Sequence, residues 1–137
     1  MRLSNMADYA VVVMSAASRH CGGLRTSATE LASETGIALP TVQKLVSILT
    51  KGGLLRSARG AGGGIQLGRP AAAITLADII EAVEGPIAMT NCINATTCNC
   101  AIEPDCNMKP HWAIVNNAVR SALSDVSLSS LSVGRAV

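Results

Sequence analysis

The chain has 137 residues, a length that fits one domain, and 49% of them are hydrophobic, so it can bury a core. Tyr9 and Trp112 are the only aromatic residues, which disfavours binding of RNA or single strands by base stacking. The net charge of +2 is unevenly divided. Residues 1–69 hold eight Lys or Arg against three acidic residues, whereas residues 70–137 hold three against six. The basic first half predicts contact with an anion such as DNA.

Neither a signal peptide nor an apolar run of the roughly 18–20 residues that span a membrane is visible in the sequence. We therefore expect a cytoplasmic location and no membrane partner. In a reducing cytosol, clustered cysteines more often bind metals or take part in redox chemistry than form structural disulfides.

Residues 4–20 are expected to form the first helix, with Ser4 or Asn5 as its N-cap and Gly22-Gly23 at its end. Cys21, at that end, is expected to be a small, partly buried residue. The apolar positions repeat at helical spacing: Ala7, Ala10, Val11, Met14 and Ala17.

Two short helices joined by a tight turn follow. The first begins with a capping box, Ser27 with Glu30, and ends at Gly36. The second begins near Pro40 and ends at Gly52-Gly53, with Val42, Leu45, Val46 and Leu49 on one side. On the opposite side lie the polar residues Thr41, Gln43, Lys44 and Ser47. This arrangement is typical of a helix-turn-helix with an outward recognition helix.

A glycine-rich hairpin comes directly after the recognition helix. Residues 54–57 and 65–67 are the predicted strands, and residues 58–64 form a tip that carries Arg59. Glycine lets the backbone approach a groove closely, and Arg suits a narrow minor groove. The hairpin therefore indicates the wing of a winged helix. A plain surface hairpin is the alternative, and a nucleotide-phosphate loop is disfavoured because no Lys-Ser/Thr pair follows the glycines.

Two further helices are predicted. One begins at Thr75 with Asp78 as a capping acid and ends at Gly85-Pro86. The last begins at Pro110 and carries a narrow apolar seam that suits pairing with another helix or an intrachain core: Trp112, Val115, Val119, Ala122 and Val126. Leu128, Leu131 and Val133 are expected to trail into a Ser-rich tail that is partly ordered at best.

Four of the five cysteines fall within fifteen residues, at Cys92, Cys98, Cys100 and Cys106. The segment around them is too rich in Asn, Thr and Pro for a long helix or regular strand. Thiolates bind soft or borderline metals and are the usual ligands of iron–sulfur clusters. We interpret the segment as a metal centre whose state controls another part of the chain.

Several alternatives to an iron–sulfur centre stay open. Structural zinc, in a zinc-dependent winged-helix repressor, is one alternative, although the cysteine spacings of six, two and six residues do not match its usual paired knuckles. A metal-free thiol–disulfide switch could use Cys98 or Cys100 with Cys106. Idle thiols are a further alternative, and a small iron–sulfur electron carrier belongs to a different functional class. A thiol enzyme would need a general base, and only His111 lies near the cysteines in the sequence, so we expect no enzyme and no small-molecule substrate.

The order of elements resembles the bacterial winged-helix regulators that sense iron–sulfur clusters, the family of IscR and NsrR. The likeness is carried by the opening Met-Arg-Leu-Ser, the wing 59–67, the helix 74–83 and the cysteine spacing with Trp112. The phrase 103–112 resembles the branch that regulates the SUF iron–sulfur assembly operon. The likeness implies a homodimer on a palindromic operator in double-stranded DNA.

The resemblance also implies the site residues. The cluster ligands would be Cys92, Cys98 and Cys106, for a 2Fe–2S cluster with 4Fe–4S as the alternative. The family's fourth ligand varies. Here Asp8 and Cys100 are equal candidates, with His111 behind them. DNA contacts would fall on the recognition helix and the wing, at Thr41, Gln43, Lys44, Arg59 and Gly60.

The sequence thus predicts a mainly α fold with a small β-hairpin: a winged helix-turn-helix plus a long C-terminal dimerisation helix. We expect a DNA-binding domain at residues 1–86, a cluster-binding loop at 87–109, and a dimerisation helix with its tail at 110–137. The expected function is a transcriptional repressor of iron–sulfur assembly genes whose affinity for its operator depends on the state of the cluster.

Overall fold

A computed structural model describes residues 3–20, 25–58, 64–88 and 109–133. The helices of these ranges are α1 (Asn5–Ser18), α2 (Ala28–Thr35), α3 (Leu39–Lys51), α4 (Leu76–Glu84), α5 (Lys109–Ser124) and α6 (Leu128–Val133). The strands are β1 (Leu55–Ala58) and β2 (Gly64–Leu67), and a 3-10 turn covers Ala71–Ala73. The predicted mainly α fold with one hairpin is confirmed.

Helix starts follow the capping residues of the sequence. The Ser4 hydroxyl accepts a hydrogen bond from the Ala7 N–H at 3.1 Å, so Ser4 is the N-cap of α1. Thr75 and Asp78 form a complete capping box at α4, with bonds of 3.0 and 3.1 Å. These reciprocal bonds satisfy backbone donors that the first helical turn leaves unpaired.

The capping box expected at α2 is only half formed. The Ser27 hydroxyl accepts from the Glu30 N–H at 3.1 Å, as predicted. The Glu30 carboxylate accepts instead from the Thr26 hydroxyl at 2.9 Å. At the other end of α2, Gly36 has a φ of +77°, the left-handed conformation that glycine adopts without strain.

The core lies around α1, which packs against α2, α3, α4, α6 and β2. Because α1 is central, it buries residues on more than one side, including Val13 and Ala16 outside the predicted stripe. Its aliphatic partners come from every neighbouring element and include Leu31, Leu45, Leu49, Leu54, Ile74 and Ile79, all essentially without solvent exposure.

The two strands pair antiparallel, with Leu55 opposite Leu67 and Ala58 opposite Gly64. Each strand boundary lies within one residue of the prediction. Leu55 and Ile65 are buried under the hairpin, while Arg56 on the other face is exposed. The hairpin is therefore anchored on one face and open on the other.

The expectation of a loosely ordered tail after α5 is wrong. Leu128 is fully buried in the core, and α6 packs against α1 and the 3-10 turn. Backbone hydrogen bonds fasten the chain just before α6: the Leu76 N–H donates to the Val126 carbonyl and the Leu128 N–H to the Ile74 carbonyl, each at 2.8 Å. The Ser-rich composition after α5 gave no indication that Leu128 belongs to the core.

Within the described ranges, the structure contains no helix that is both long and apolar enough to cross a membrane.

Candidate DNA-binding surface and cysteine segment

The recognition helix α3 presents two of its three predicted DNA-contacting residues to solvent. Val42, Leu45 and Leu49 are buried against the body, which fixes the rotation of the helix. Gln43 and Lys44 consequently lie exposed on the opposite face, and Thr41 is half-buried. An amide and an ammonium group on one outward face can donate hydrogen bonds to base edges or phosphates.

The wing follows α3 directly. The Leu54 N–H donates to the Leu49 carbonyl at 3.0 Å, so the hairpin starts where the helix ends. Arg59 and Gly60, the predicted wing contacts, lie outside the described residues, but the strands that carry them end at Ala58 and begin again at Gly64. The described strands thus form a short sheet beside the recognition helix.

All five cysteines lie outside the described residues, including the predicted ligands Cys92, Cys98, Cys106 and the candidate Cys100. Within the described ranges, no three His, Cys, Asp or Glu side chains converge in a way that could hold a metal ion. The two other candidate ligands are described: Asp8 is exposed on the first turn of α1, and His111 is exposed on the first turn of α5.

Asp8 is linked through Ser4 to the end of α4, from which the chain enters the cysteine segment. The Asp8 N–H donates to the Ser4 carbonyl at 3.0 Å, one helical turn away. The Ser4 N–H in turn donates to the Glu84 carboxylate at 3.3 Å. Glu84 is the last residue of α4, eight positions before Cys92. An exposed carboxylate at this place is accessible as a ligand.

The entry to the cysteine segment is held by two helices, a feature that the sequence reasoning missed. The Ile87 N–H donates to the Glu81 carboxylate of α4 at 3.0 Å. The Ile87 carbonyl accepts from the side-chain amide of Asn116 on α5 at 2.9 Å. We call Glu81, Ile87, Asn116 and Arg120 the entry clamp.

Arg120 completes the entry clamp by joining α5 to α4. Its guanidinium contacts both carboxylate oxygens of Glu81, at 2.9 and 3.4 Å. The hydrogen bond to Glu81 and the negative charge of that carboxylate raise the pKa of Arg120. Arg120 is about half exposed and Glu81 less so, hence solvent screens the attraction. The only signal in the sequence was a pair of opposite charges on the two helices that flank the cysteines.

A helix-turn-helix followed directly by a hairpin, with polar side chains outward on its second helix, defines the class of winged-helix DNA-binding proteins. Comparison with known families narrows the class. Residues 3–133 match the model of Rrf2, described as an iron-dependent transcriptional regulator. The chain belongs to the Rrf2 family of transcriptional regulators.

Individual relatives agree with this assignment. The chain is 32% identical to the HTH-type transcriptional regulator IscR of Xenorhabdus nematophila, over 96% of this chain and 79% of the relative. Among solved structures it is similar to CymR, the global cysteine regulator of B. subtilis, with a TM-score of 0.76, 28% identity and 96% coverage of both chains. The IscR of T. potens gives a TM-score of 0.71 at 26% identity, over 96% of this chain and 85% of that one.

These similarities decide the functional class of the chain. The family and the relatives are transcriptional regulators, so the chain is a transcriptional regulator and not an enzyme. They support DNA binding through the winged helix.

Proposed function

We propose that this protein is a homodimeric repressor whose affinity for a palindromic operator depends on an iron–sulfur cluster. We further propose that it controls iron–sulfur assembly genes of the SUF type. The observation that carries the proposal is the position of the thiol-dense segment. It lies between α4 and α5 in the sequence of an Rrf2 chain, and the entry clamp fastens Ile87, which precedes it, to both helices.

The available side chains suit such a group. Cys92, Cys98 and Cys106 would hold it, with Asp8 or Cys100 as fourth ligand and His111 as the less favoured candidate. We favour a 2Fe–2S cluster, with 4Fe–4S as the alternative. A bound cluster supplies sensitivity to iron supply and to oxidants, and an oxygen or nitrogen ligand among thiolates favours lability, which suits a sensor.

The described residues provide a route from the cysteine segment to the DNA-binding surface. A shift of the segment pulls on Ile87, whose two backbone groups are bound to Glu81 of α4 and Asn116 of α5. Helix α4 packs against α1 and α3, so the shift reaches the recognition helix. A coupling of about 1–3 kcal/mol would change operator affinity roughly 5- to 150-fold.

The test combines anaerobic purification, an absorption spectrum, and assays for iron and sulfide with DNA binding. Operators are first selected from a random duplex pool. We expect a coloured, iron-containing protein whose affinity for the selected duplex changes when the iron is removed. The triple variant Cys92→Ser, Cys98→Ser, Cys106→Ser should lose both the colour and the change, while Cys21→Ser should keep both. An iron-free protein after reconstitution, or an unchanged affinity, would contradict the proposal.

A metal-free thiol switch is the second candidate, and the similarity to the cysteine regulator CymR favours it over structural zinc. Its distinguishing result is a colourless protein whose DNA affinity changes with the formation of a disulfide between Cys98 or Cys100 and Cys106, detected by mass spectrometry. Stoichiometric zinc in the purified protein would indicate the zinc-dependent alternative.

A further inference from the structure

The open face of the wing carries a small basic cavity of about 90 Å³. The six described residues that line it include two arginines and no acidic residue: Arg25, Arg56, Ser57, Ala58, Gly64 and Gln66. We call these residues the wing cup. None of them belongs to the DNA contacts that the sequence predicted.

Strand register explains why Arg56 lies on the open face of the hairpin. Arg56 is paired with Gln66, and Ala58 with Gly64, on the face away from the buried Ile65. Side chains two residues apart on a strand share a face, so Arg56 and Ala58 point to the same side of the hairpin.

The second arginine arrives on a segment that adds to the hairpin. The Thr26 N–H donates to the Ile65 carbonyl at 3.0 Å, and the Ile65 N–H donates back to the Thr26 carbonyl at 2.7 Å. This bridge places Arg25 beside Gly64 in the neighbouring strand. The wing cup thus combines residues from both sides of the helix-turn-helix, since Arg25 precedes α2 and Arg56 follows α3.

Gly64 is what allows the close approach. A Cβ at this position would lie 2.9 Å from both the Arg25 Cβ and the Thr26 carbonyl oxygen. Its φ of +144° also belongs to backbone that other residues rarely adopt. Gly64 therefore lines the wing cup with backbone alone, and the stem of Arg25 lies directly against it.

We propose that the wing cup binds a phosphate of the DNA backbone next to the groove that the wing tip enters. A guanidinium presents a planar set of donors that matches phosphate oxygens. Arg56 makes one long hydrogen bond, from Nη2 to the Gly68 carbonyl oxygen at 3.5 Å, and has further N–H donors for an anion that Arg25 can approach from the neighbouring segment. The Gln66 side chain adds a neutral donor. Such a contact fixes the position of the wing on the duplex without reading sequence. The inference rests on the DNA binding of the proposed function, but it does not involve the cysteines.

The test measures how DNA affinity depends on salt concentration for Arg25→Gln, Arg56→Gln and the double variant. Each lost phosphate contact lowers the slope of log affinity against log salt by roughly 0.9, so a dimer with two wing cups should lose about 1.8 in the double variant. The affinity loss should be similar for a selected operator and for a random-sequence duplex. The matched control is Arg69→Gln, an exposed arginine that pairs with Asp78 at 3.5 Å and should leave the slope unchanged.

Two results would overturn the inference: a double variant with an unchanged salt slope, or an equal effect of Arg69→Gln. Free inorganic phosphate has the same chemistry, so its binding is measured separately by calorimetry. Phosphate binding that is lost in the double variant while the DNA slope stays constant would assign the wing cup to a free anion and overturn its assignment to DNA. Repeating the series in the Cys92→Ser, Cys98→Ser, Cys106→Ser background separates the two proposals, because the slope effect should persist there even if no cluster controls affinity.

Discussion

Gly68 shows how a single residue determines the position of the wing. It follows β2, and its N–H donates to the Leu54 carbonyl at 2.9 Å. A Cβ on Gly68 would lie 2.4 Å from the Gly53 carbonyl oxygen. The chain leaving the hairpin therefore runs directly against the chain entering it, with no room for a side chain.

The substitution Gly68→Ala should force these two segments apart. We expect the free energy of unfolding to fall by about 1–3 kcal/mol, because backbone cannot yield as a side chain does. Urea denaturation of the purified variant measures the change.

Gly52→Ala is the matched control, because neither glycine has a positive φ. The added methyl at Gly52 would meet the Ala82 side chain at 3.2 Å, a neighbour that can move by a few tenths of an ångström. We expect a smaller loss of stability for this variant. Equal losses for the two variants would show that the close backbone approach at Gly68 is not what limits the position.

At the scale of elements, the entry clamp joins α4 and α5, the described helices that come before and after the cysteine segment. Asn116 is 5% exposed and donates to the Ile87 carbonyl, whereas its neighbour Asn117 is exposed on the same helix. The two asparagines therefore form a matched pair for testing the clamp.

The substitution Asn116→Ala should reduce the ratio of operator affinities between cluster-loaded and cluster-free protein, because Ile87 loses its hold on α5. A general loss of stability of about 1 kcal/mol, typical for one hydrogen bond, would not by itself change this ratio. Fluorescence anisotropy with both forms measures it. Asn117→Ala should keep the ratio of the wild type, and a wild-type ratio in Asn116→Ala would remove the clamp from the coupling route.

The ion pair of the entry clamp should persist over the pH range of such assays. Glu81 raises the pKa of Arg120, so the guanidinium is charged at every pH below its ordinary pKa and loses its charge only in strongly alkaline solution. Arg120 therefore contributes no pH dependence near neutrality.

The sequence predicted elements where local chemistry decides. Ser4, Gly36 and the Thr75–Asp78 pair act within one helical turn, so their roles could be read directly. The strand boundaries of the wing were nearly correct for the same reason. Asn116 and Leu128 could not be assigned, because their partners lie 29 and more than 50 residues away and no local pattern specifies them. The roles predicted for the cysteines stay predictions.

At the scale of the whole molecule, α5 has two different faces. The apolar seam that we predicted from the sequence contains residues of both. Trp112 and Val119 are half-buried, and Asn116 between them is buried, on the side towards α4. The other side of α5 exposes apolar residues: Ile114 is 67% and Val115 40% exposed. Together with the exposed Ala118 and Ala122, they form an apolar stripe. An exposed apolar stripe on a helix favours pairing with a second copy.

The substitution Ile114→Glu should disrupt the proposed homodimer, because a carboxylate would be placed in the apolar stripe. We expect monomers in analytical ultracentrifugation and weaker binding to a duplex with two half-sites. Asn117→Glu, off the stripe on the same helix, should stay dimeric. A dimeric Ile114→Glu variant would place the interface elsewhere.

The chain returns into the core at Leu128, and this return should hold the protein together when its backbone is cut after α4. The hydrogen bonds of Leu76 and Leu128 join the body to the piece that follows the cysteines. A single peptide cleavage between α4 and α5 would therefore yield two fragments that stay associated, held by this junction and by the burial of one leucine. Damage confined to the thiol-dense segment would then leave the DNA-binding body of the regulator folded.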